Sequence, residues 1–599
     1  MAISFATASE VKKLSPALDQ SRTEERKVQV FTALLLLPIL IAATRWILDH
    51  PYGIHWDEVL YFNGALRDLH NLHSGSLRKL GSVLIGGDVR RPPANLLLAL
   101  PFLALFGFHT AIARFVTLAC WGGSAWVTYL TTRRMGSPLA GAVAVLIFCL
   151  SPEVLSASIF FSTEGPLFLA TSVLLYFLSF YWSDGVGHPR GWIGLGLAIG
   201  LGLLSKSSFV LIAFPVLVLA LFFAHRRHPG ISAWRSFIKA GALAFLVAAP
   251  WWLKNLGPAL NYTKFAREQP RNSLGAPSLL TWAKWFGTVV MSLLGPALSI
   301  LIAIVVFLAI REIMIKREII LSPAHRAALL SCICAGLPLV AFQLSGTNHL
   351  LRYLCPTVIP FAIAVGLLAD LTGWIRSKAA MATSGILSVA QVMMIVAPVV
   401  FPNTHPVDPG LYNGGLPWRI LIRFDQWDWK PLRDIAQSCD LKKPKIAHLG
   451  MGRPLNPPQI LYPWFLAGES PSERDGFSEP LWLWRYEQGP LDWQEVMNSA
   501  SRSDIVITAP GFVGQATDRQ DLDNQYNREF AERLARDSHF RGPIRLEMGR
   551  FEPAEVLVFL NSTIPCRSTA TGQSNPQGRF QDSSLQMNAQ SRTMLNTSF

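Results

Sequence analysis

Val30–Leu48, VFTALLLLPILIAATRWIL, is followed within a few residues by a polar segment, Gly53–Tyr61, GIHWDEVLY, and this junction decides how the rest of the chain is read. The apolar run approaches the roughly 20 residues that a helix needs to cross a bilayer. Lys12, Lys13, Arg22, Arg26 and Lys27 precede it, so it reads as an uncleaved signal anchor with its N-terminus inside. The polar segment then sets two adjacent carboxylates, Asp57 and Glu58, just outside a membrane span. Such a pair is either solvated loop charge or the chemical end of a membrane enzyme, and the remaining sequence has to choose.

A chain of 599 residues with 51% hydrophobic and only 15% charged residues is unlike a soluble enzyme of that size. Its formal net charge of +14 falls in short clusters between apolar runs, as at the cytoplasmic ends of spans, and not in one basic surface. Nucleic acid is therefore set aside as a partner. Each span must satisfy its own backbone in lipid, so the apolar runs are predicted helices. They lie near 30–48, 111–131, 138–160, 165–182, 191–205, 208–224, 236–253, 286–310, 327–344, 354–373 and 380–400, about eleven spans. Ala94–Phe108 is short and contains Pro101 and Gly107, and it is read as a juxtamembrane or re-entrant helix. That choice leaves Arg133-Arg134, Arg226-Arg227, Arg311 with Lys316-Arg317, and Arg376 with Lys378 all inside. The outer segments are then 49–110, 161–164, 205–207, 254–285, 345–353 and everything after 400.

The predicted organisation is a cytoplasmic segment 1–29, a transmembrane domain 30–402, a small extracytoplasmic α/β domain 403–565 and a disordered tail 566–599. Within the third part, 445–450, 504–510 and 555–560 read as buried strands, and 430–439 and 527–538 as amphipathic helices. The tail is rich in Ser, Gln, Asn and Thr. No Gly-rich phosphate loop occurs in strand–helix context. Cys439 and Cys566 are the two cysteines of the polar C-terminal region and are free to pair in an oxidising compartment, whereas Cys332-x-Cys334 is too closely spaced for a zinc pair. The histidines, His55 and His349 among them, show no helical metal-ligand spacing, and a divalent metal is left open.

With this sidedness the outer face collects the chemistry. Transfer of a sugar from a lipid phosphate needs a carboxylate to take the acceptor proton, cations to hold the departing phosphate, and an apolar groove for the lipid. Asp57 is the candidate base, and Glu58 is read as an assistant that positions the acceptor or a cation. Glu164 interrupts an apolar stretch, where a carboxylate is a functional candidate by default. Lys206 alone would be a snorkelling lysine, but on the outer side it is better read as a phosphate ligand, with Arg91 and Arg352 as further cations. Tyr61, Trp252 and Tyr353 stand beside these groups as donor or acceptor contacts.

At these residues the chain resembles the polyprenyl-phosphate-dependent glycosyltransferases of the GT-C superfamily, and within it glycosyltransferase family 39, which holds aminoarabinose transferases and protein O-mannosyltransferases. The resemblance covers roughly 30–400 and rests on Asp57-Glu58, Arg91-Pro92-Pro93, Glu164-Gly165-Pro166, Ser205-Lys206, Pro250-Trp251-Trp252-Leu253-Lys254-Asn255 and Arg352-Tyr353-Leu354-Cys355-Pro356. It implies a GT-C fold, Asp57 at the catalytic centre, Arg91 and Lys206 near the donor phosphate, and inverting transfer at the outer face. The implied partners are a polyprenyl-phosphate sugar donor, membrane lipid, and an acceptor lipid, glycan or protein, in a bacterial inner membrane. Two departures stand out: Arg90-Arg91 occupies the place where the lipid A branch carries Glu-Lys, with that Glu near a metal, and Glu164 stands where Asp is common. The alternative is a carrier or flippase of lipid-linked sugars that uses the same cations only for binding; against it, no pair of broken helices meets at the midplane.

Overall fold

The computed structural model describes residues 8–566 except 54–55, 86–87, 184–189, 228–230, 269–278, 317–321, 346–350, 375–376, 402–420, 422–425, 451–454, 470–478, 485–490, 512–519 and 550–553. His55, Arg317, His349, Arg376 and the tail from 567 onward lie outside the described residues.

Among those described, seven helices are long and apolar enough to cross a bilayer: Thr23–Asp49, Glu164–Ser183, Phe209–Arg226, Trp234–Phe265, Gly295–Glu312, Ala324–Leu344 and Lys378–Val400. Pro138–Cys149 and Pro152–Ile159 make an eighth if counted together, but they meet at a 65° bend. The remaining three of the expected spans are helices that fall short by this measure, each for a readable reason. Gly191–Ser205 has 15 residues, and Cys355–Leu371 is another short one. Thr110–Met135 is long enough at 26 residues, but its buried face carries Arg114, Thr117, Ser124, Thr128, Thr131 and Thr132. A helix with that face packs inside the protein, where small polar side chains let backbones approach closely. Its neighbour Glu164–Ser183 is the central helix, buried over 72% of its most apolar stretch against 28–39% for the other six. Those six turn side chains such as Leu34, Phe214, Leu246, Phe307 and Ile386 outward, as lipid-facing helices do.

The expected span 286–310 is also divided, into Leu279–Leu293 and Gly295–Lys316. Gly295 turns the chain with φ of 73°, and the Gln391 amide occupies the space that a Cβ would need. The same amide tends two breaks at once, so two broken helices do meet inside the protein, contrary to the sequence expectation that none would. Its Nε2 donates to the Leu150 carbonyl at 3.3 Å, at the bend of the broken pair, and its Oε1 accepts from the Ala297 N–H at 3.3 Å. Ser151 donates to the Leu293 carbonyl beside them. Backbone groups freed by a break inside the protein are thereby re-satisfied.

The C-terminal part is built on a five-stranded sheet, β1 (Ile446–His448), β2 (Leu481–Trp482), β3 (Ile505–Thr508), β4 (Phe540–Met548) and β5 (Ala554–Asn561), in the order β2-β1-β3-β5-β4. β1 pairs in parallel with β2 and β3, whereas β5 runs antiparallel to β3 and β4. Alternate residues feed two cores: Ile446, Ile505, Ile507, Val556 and Val558 on one face, Ala447, Val506, Leu557 and Phe559 on the other. β4, which the sequence reading missed, is an exposed edge with Arg541 and Arg545 and a register shift after Arg541. Cys439 and Cys566 are joined in a disulfide.

This α/β part sits on the segment that bears Asp57. Asn456 caps the helix Pro457–Leu466, which packs on the helix Trp56–His73. Asn63 donates to the Pro458 carbonyl at 3.0 Å, Gln459 to the Gly53 carbonyl at 2.8 Å, and Gln426 to the Tyr52 carbonyl at 2.8 Å.

Candidate active site

Asp57 lies in the first turn of the helix Trp56–His73, where its charge is favoured by the helix dipole. Two guanidiniums grip it: Arg91 reaches Oδ1 at 3.1 Å and Arg352 reaches Oδ2 at 2.5 Å. Arg91 comes from the loop ahead of Ala94–Phe106 and is braced by Asp88 at 3.4 Å, the Tyr262 hydroxyl at 2.7 Å and the Tyr262 ring at 4.9 Å. Arg352 sits in the short 3-10 turn Leu351–Tyr353. Burial opposes the charge on both arginines, but Asp57 beside them more than restores it, and both are held above the ordinary guanidinium value. They are permanent cations. Burial pushes the Tyr61 hydroxyl well above its usual value, only partly offset by Arg91, so it stays a neutral donor.

A second pair faces the first across the cleft. Glu164 opens the helix Glu164–Ser183 and Lys206 closes the helix Gly191–Ser205, and their side chains meet at 2.8 Å. The Lys206 ammonium also lies 4.4 Å from the Tyr353 ring centre. The cleft holds about 940 Å³ of empty space, part of it open to solvent. Among the described residues lining it, Arg90, Arg91, Lys206 and Arg352 are cationic and Asp57 and Glu164 anionic, a net of +2. Ser207, Ser208, Thr263 and Gln343 add polar groups, and Leu339 and Phe342 an apolar side. An anion with a greasy tail is the ligand such a wall suits.

Of the residues singled out from sequence, Asp57, Tyr61, Arg91, Glu164, Lys206, Arg352 and Tyr353 are brought together here. Glu58 and Trp252 are not. Glu58 is 2% exposed and points away from the cleft, paired with the fully buried Arg114 through two contacts of 2.8 Å. Residues i and i+1 of a helix cannot face the same way, so only one of the two adjacent carboxylates reaches the site. Arg114 also donates to the carbonyls of His50 and Tyr52, and Glu58 accepts from the Phe161 N–H at 3.0 Å. The pair thus ties the segment bearing Asp57 to the one leading into Glu164. Trp252 donates to the Leu203 carbonyl at 3.1 Å, steadying the helix end beneath Lys206. Sequence reading missed Tyr262, Gln343, Arg114 and Glu153. The last two carried a signal, a charge inside an apolar run; Tyr262 and Gln343 carried none.

The metal that the resemblance raised finds no donor set. Among the described residues no three His, Cys, Asp or Glu side chains converge, and both carboxylates of the cleft already bear cations. No step below is routed through a metal.

Residues 90–253 match the family model described as dolichyl-phosphate-mannose-protein mannosyltransferase. An undecaprenyl phosphate-alpha-4-amino-4-deoxy-L-arabinose arabinosyl transferase of Pseudomonas aeruginosa is 23% identical over 341 residues, covering 53% of this chain and 59% of that protein. Its namesake from Edwardsiella ictaluri is 32% identical over 158 residues, covering 25% and 27%. The chain therefore spans less than two thirds of the curated relatives it matches. In three dimensions the apo crystal structure of ArnT from Cupriavidus metallidurans superposes with a TM-score of 0.51 at 13% identity, covering 88% of this chain and 98% of that one. The chain has the GT-C fold. The span of the family match includes Arg91, Glu164 and Lys206, three of the seven predicted residues that line the cleft.

Proposed function

We propose that this integral membrane protein is a glycosyltransferase that moves a sugar from a polyprenyl-phosphate donor to an acceptor hydroxyl of a lipid, glycan or protein, with inversion, at the outer face of a bacterial inner membrane. The carrying observation is Asp57 held between Arg91 and Arg352 in a cleft with a net positive wall. Polyprenyl phosphate leaves as a dianion, and a +2 wall is matched to that charge. In the proposed step the acceptor oxygen attacks C1 of the sugar opposite the phosphate. The C1–O bond to phosphate breaks, Asp57 takes the hydroxyl proton, and Arg91, Arg352 and Lys206 hold the phosphate oxygens. Glu164 orients Lys206. The donor class is supported by the names of the arabinosyl transferases that the chain resembles.

The outer-face assignment rests on charge and redox chemistry. Arg133 pairs with Glu25 and Arg134 reaches Ser183, at the end of the central helix opposite Glu164. Basic residues resist translocation, so that end is cytoplasmic. A disulfide in the α/β part fits an oxidising compartment.

The test is release of free polyprenyl phosphate from a panel of polyprenyl-phosphate sugars by membranes supplying acceptors. Wild type should release it and Asp57→Asn should release at least about a hundredfold less, the scale of lost general-base catalysis. Tight donor binding without release from any donor would replace the enzyme with a carrier.

A further inference from the structure

In the resting cleft both oxygens of Asp57 are engaged by guanidiniums, Oδ2 by Arg352 and Oδ1 by Arg91. Each carboxylate oxygen keeps a second lone pair for the acceptor hydroxyl, so the demand on this arrangement comes after the proton has moved. Once Asp57 has taken the proton it is neutral, and when the phosphate has departed the largely buried Arg352 guanidinium is left without a counter-charge. Removing one partner of such a pair is strongly unfavourable unless another anion is at hand.

One is at hand. Glu153 lies in the first turn of the helix Pro152–Ile159, just past the bend of the broken pair, and is only 3% exposed. Its Oε2 is buried with no hydrogen-bond partner. Arg352 has the complementary defect: its Nη2 is on Asp57, but its Nε is buried without a partner. The helix Pro152–Ile159 packs against the turn that carries Arg352. A buried carboxyl group with an idle oxygen is expensive to keep. The two idle atoms, a donor and an acceptor, belong to the two groups that would meet if Arg352 swung away from Asp57.

We propose that Glu153 is a positioning residue that receives the Arg352 guanidinium once Asp57 has accepted the acceptor proton. Arg91 stays on the other oxygen and keeps Asp57 aimed. The exchange moves no covalent bond: the proton passes from the acceptor oxygen to Asp57 Oδ2, and Arg352 passes from Asp57 to Glu153. Arg352 thereby remains charged throughout.

The inference rests on the glycosyltransferase reading, and two measurements keep them apart. The first is structural and needs no turnover: Asp57→Asn imitates the protonated base, and a cryo-EM structure of that variant should show Arg352 hydrogen-bonded to Glu153. Arg352 unmoved, with Glu153 still idle, would overturn the exchange whatever the enzyme does. The second is kinetic: Glu153→Gln keeps the volume and removes the charge, so kcat for polyprenyl phosphate release should fall at least about tenfold. The donor KM should stay within twofold, and Glu153→Asp should recover part of the rate. A wild-type kcat in Glu153→Gln, or a fall matched by an equal rise in KM, sinks the proposal. Wild type that releases nothing from any donor sinks the reading beneath it.

Discussion

Asp57 and Glu58 are neighbours in sequence with opposite fates, and the difference is the 100° that separates successive residues on a helix. Asp57 opens on the cleft while Glu58 turns inward to Arg114, which is fully buried. Arg114→Met should leave Glu58 as an unpaired buried charge and free the His50 and Tyr52 carbonyls at the same time. The expected loss is about 3–5 kcal/mol, the range for breaking a buried pair. It should appear as a lower thermal midpoint and poor recovery from membranes; an unchanged midpoint would show that the pair holds nothing together. The acidic dipeptide was visible in the sequence as a unit, but which half is chemical depends on helix phase. That phase is set by packing between segments 50 to 100 residues apart, to which a local motif is blind.

Helices were legible wherever composition alone decides. Runs such as 30–48 and 380–400 face lipid on one side and declare themselves by hydropathy. Where a helix is enclosed by other helices its position was still readable, but length and hydropathy no longer mark it as a span, because lipid no longer dictates its composition. Thr110–Met135 can carry a polar face, Gly191–Ser205 can be short, and the pair Pro138–Cys149 and Pro152–Ile159 can bend. Bending succeeds because one amide attends to it, and Gln391 is that amide. Gln391→Leu would strand the Leu150 carbonyl and the Ala297 N–H together. Each unsatisfied buried group costs about 1–3 kcal/mol, so the midpoint in detergent should drop clearly. Retention of the wild-type midpoint would mean that the break needs no such support. Because Glu153 follows the bend directly, the same variant should also slow turnover.

For the molecule as a whole, a helical part and an α/β part of different chemistry meet at the segment that bears Asp57. The helical part was readable from its apolar runs, and three of the five strands from short buried segments; β2 and β4 were not, since a two-residue strand and an exposed edge leave almost no pattern. The α/β part carries its own pH dependence. Burial holds His448 down to about 4, neutral, with one ring nitrogen on the Gly450 carbonyl at 2.7 Å. Above the unfolded value near 6.5 the neutral ring is no handicap; as pH falls from there toward 4, the unfolded chain takes up a proton that the folded one refuses. Stability should therefore decline across that window by up to a few kcal/mol, and His448→Gln should flatten the decline. Thermal scans at pH 7.5, 5.5 and 4.5 would decide it, parallel curves for the two proteins counting against His448. The docking of this part on the catalytic segment also has a consequence for biosynthesis. Gln459 supplies the hydrogen bond to Gly53 from 406 positions downstream. At about 5–20 residues per second the ribosome needs roughly 20–80 s to cover that distance. Throughout that interval the nascent chain would already hold its first outer loop in the presence of donor lipid, yet lack the roof that fixes it. On the proposed function, a half-made molecule would be kept from spending donor until the α/β part has been made and folded.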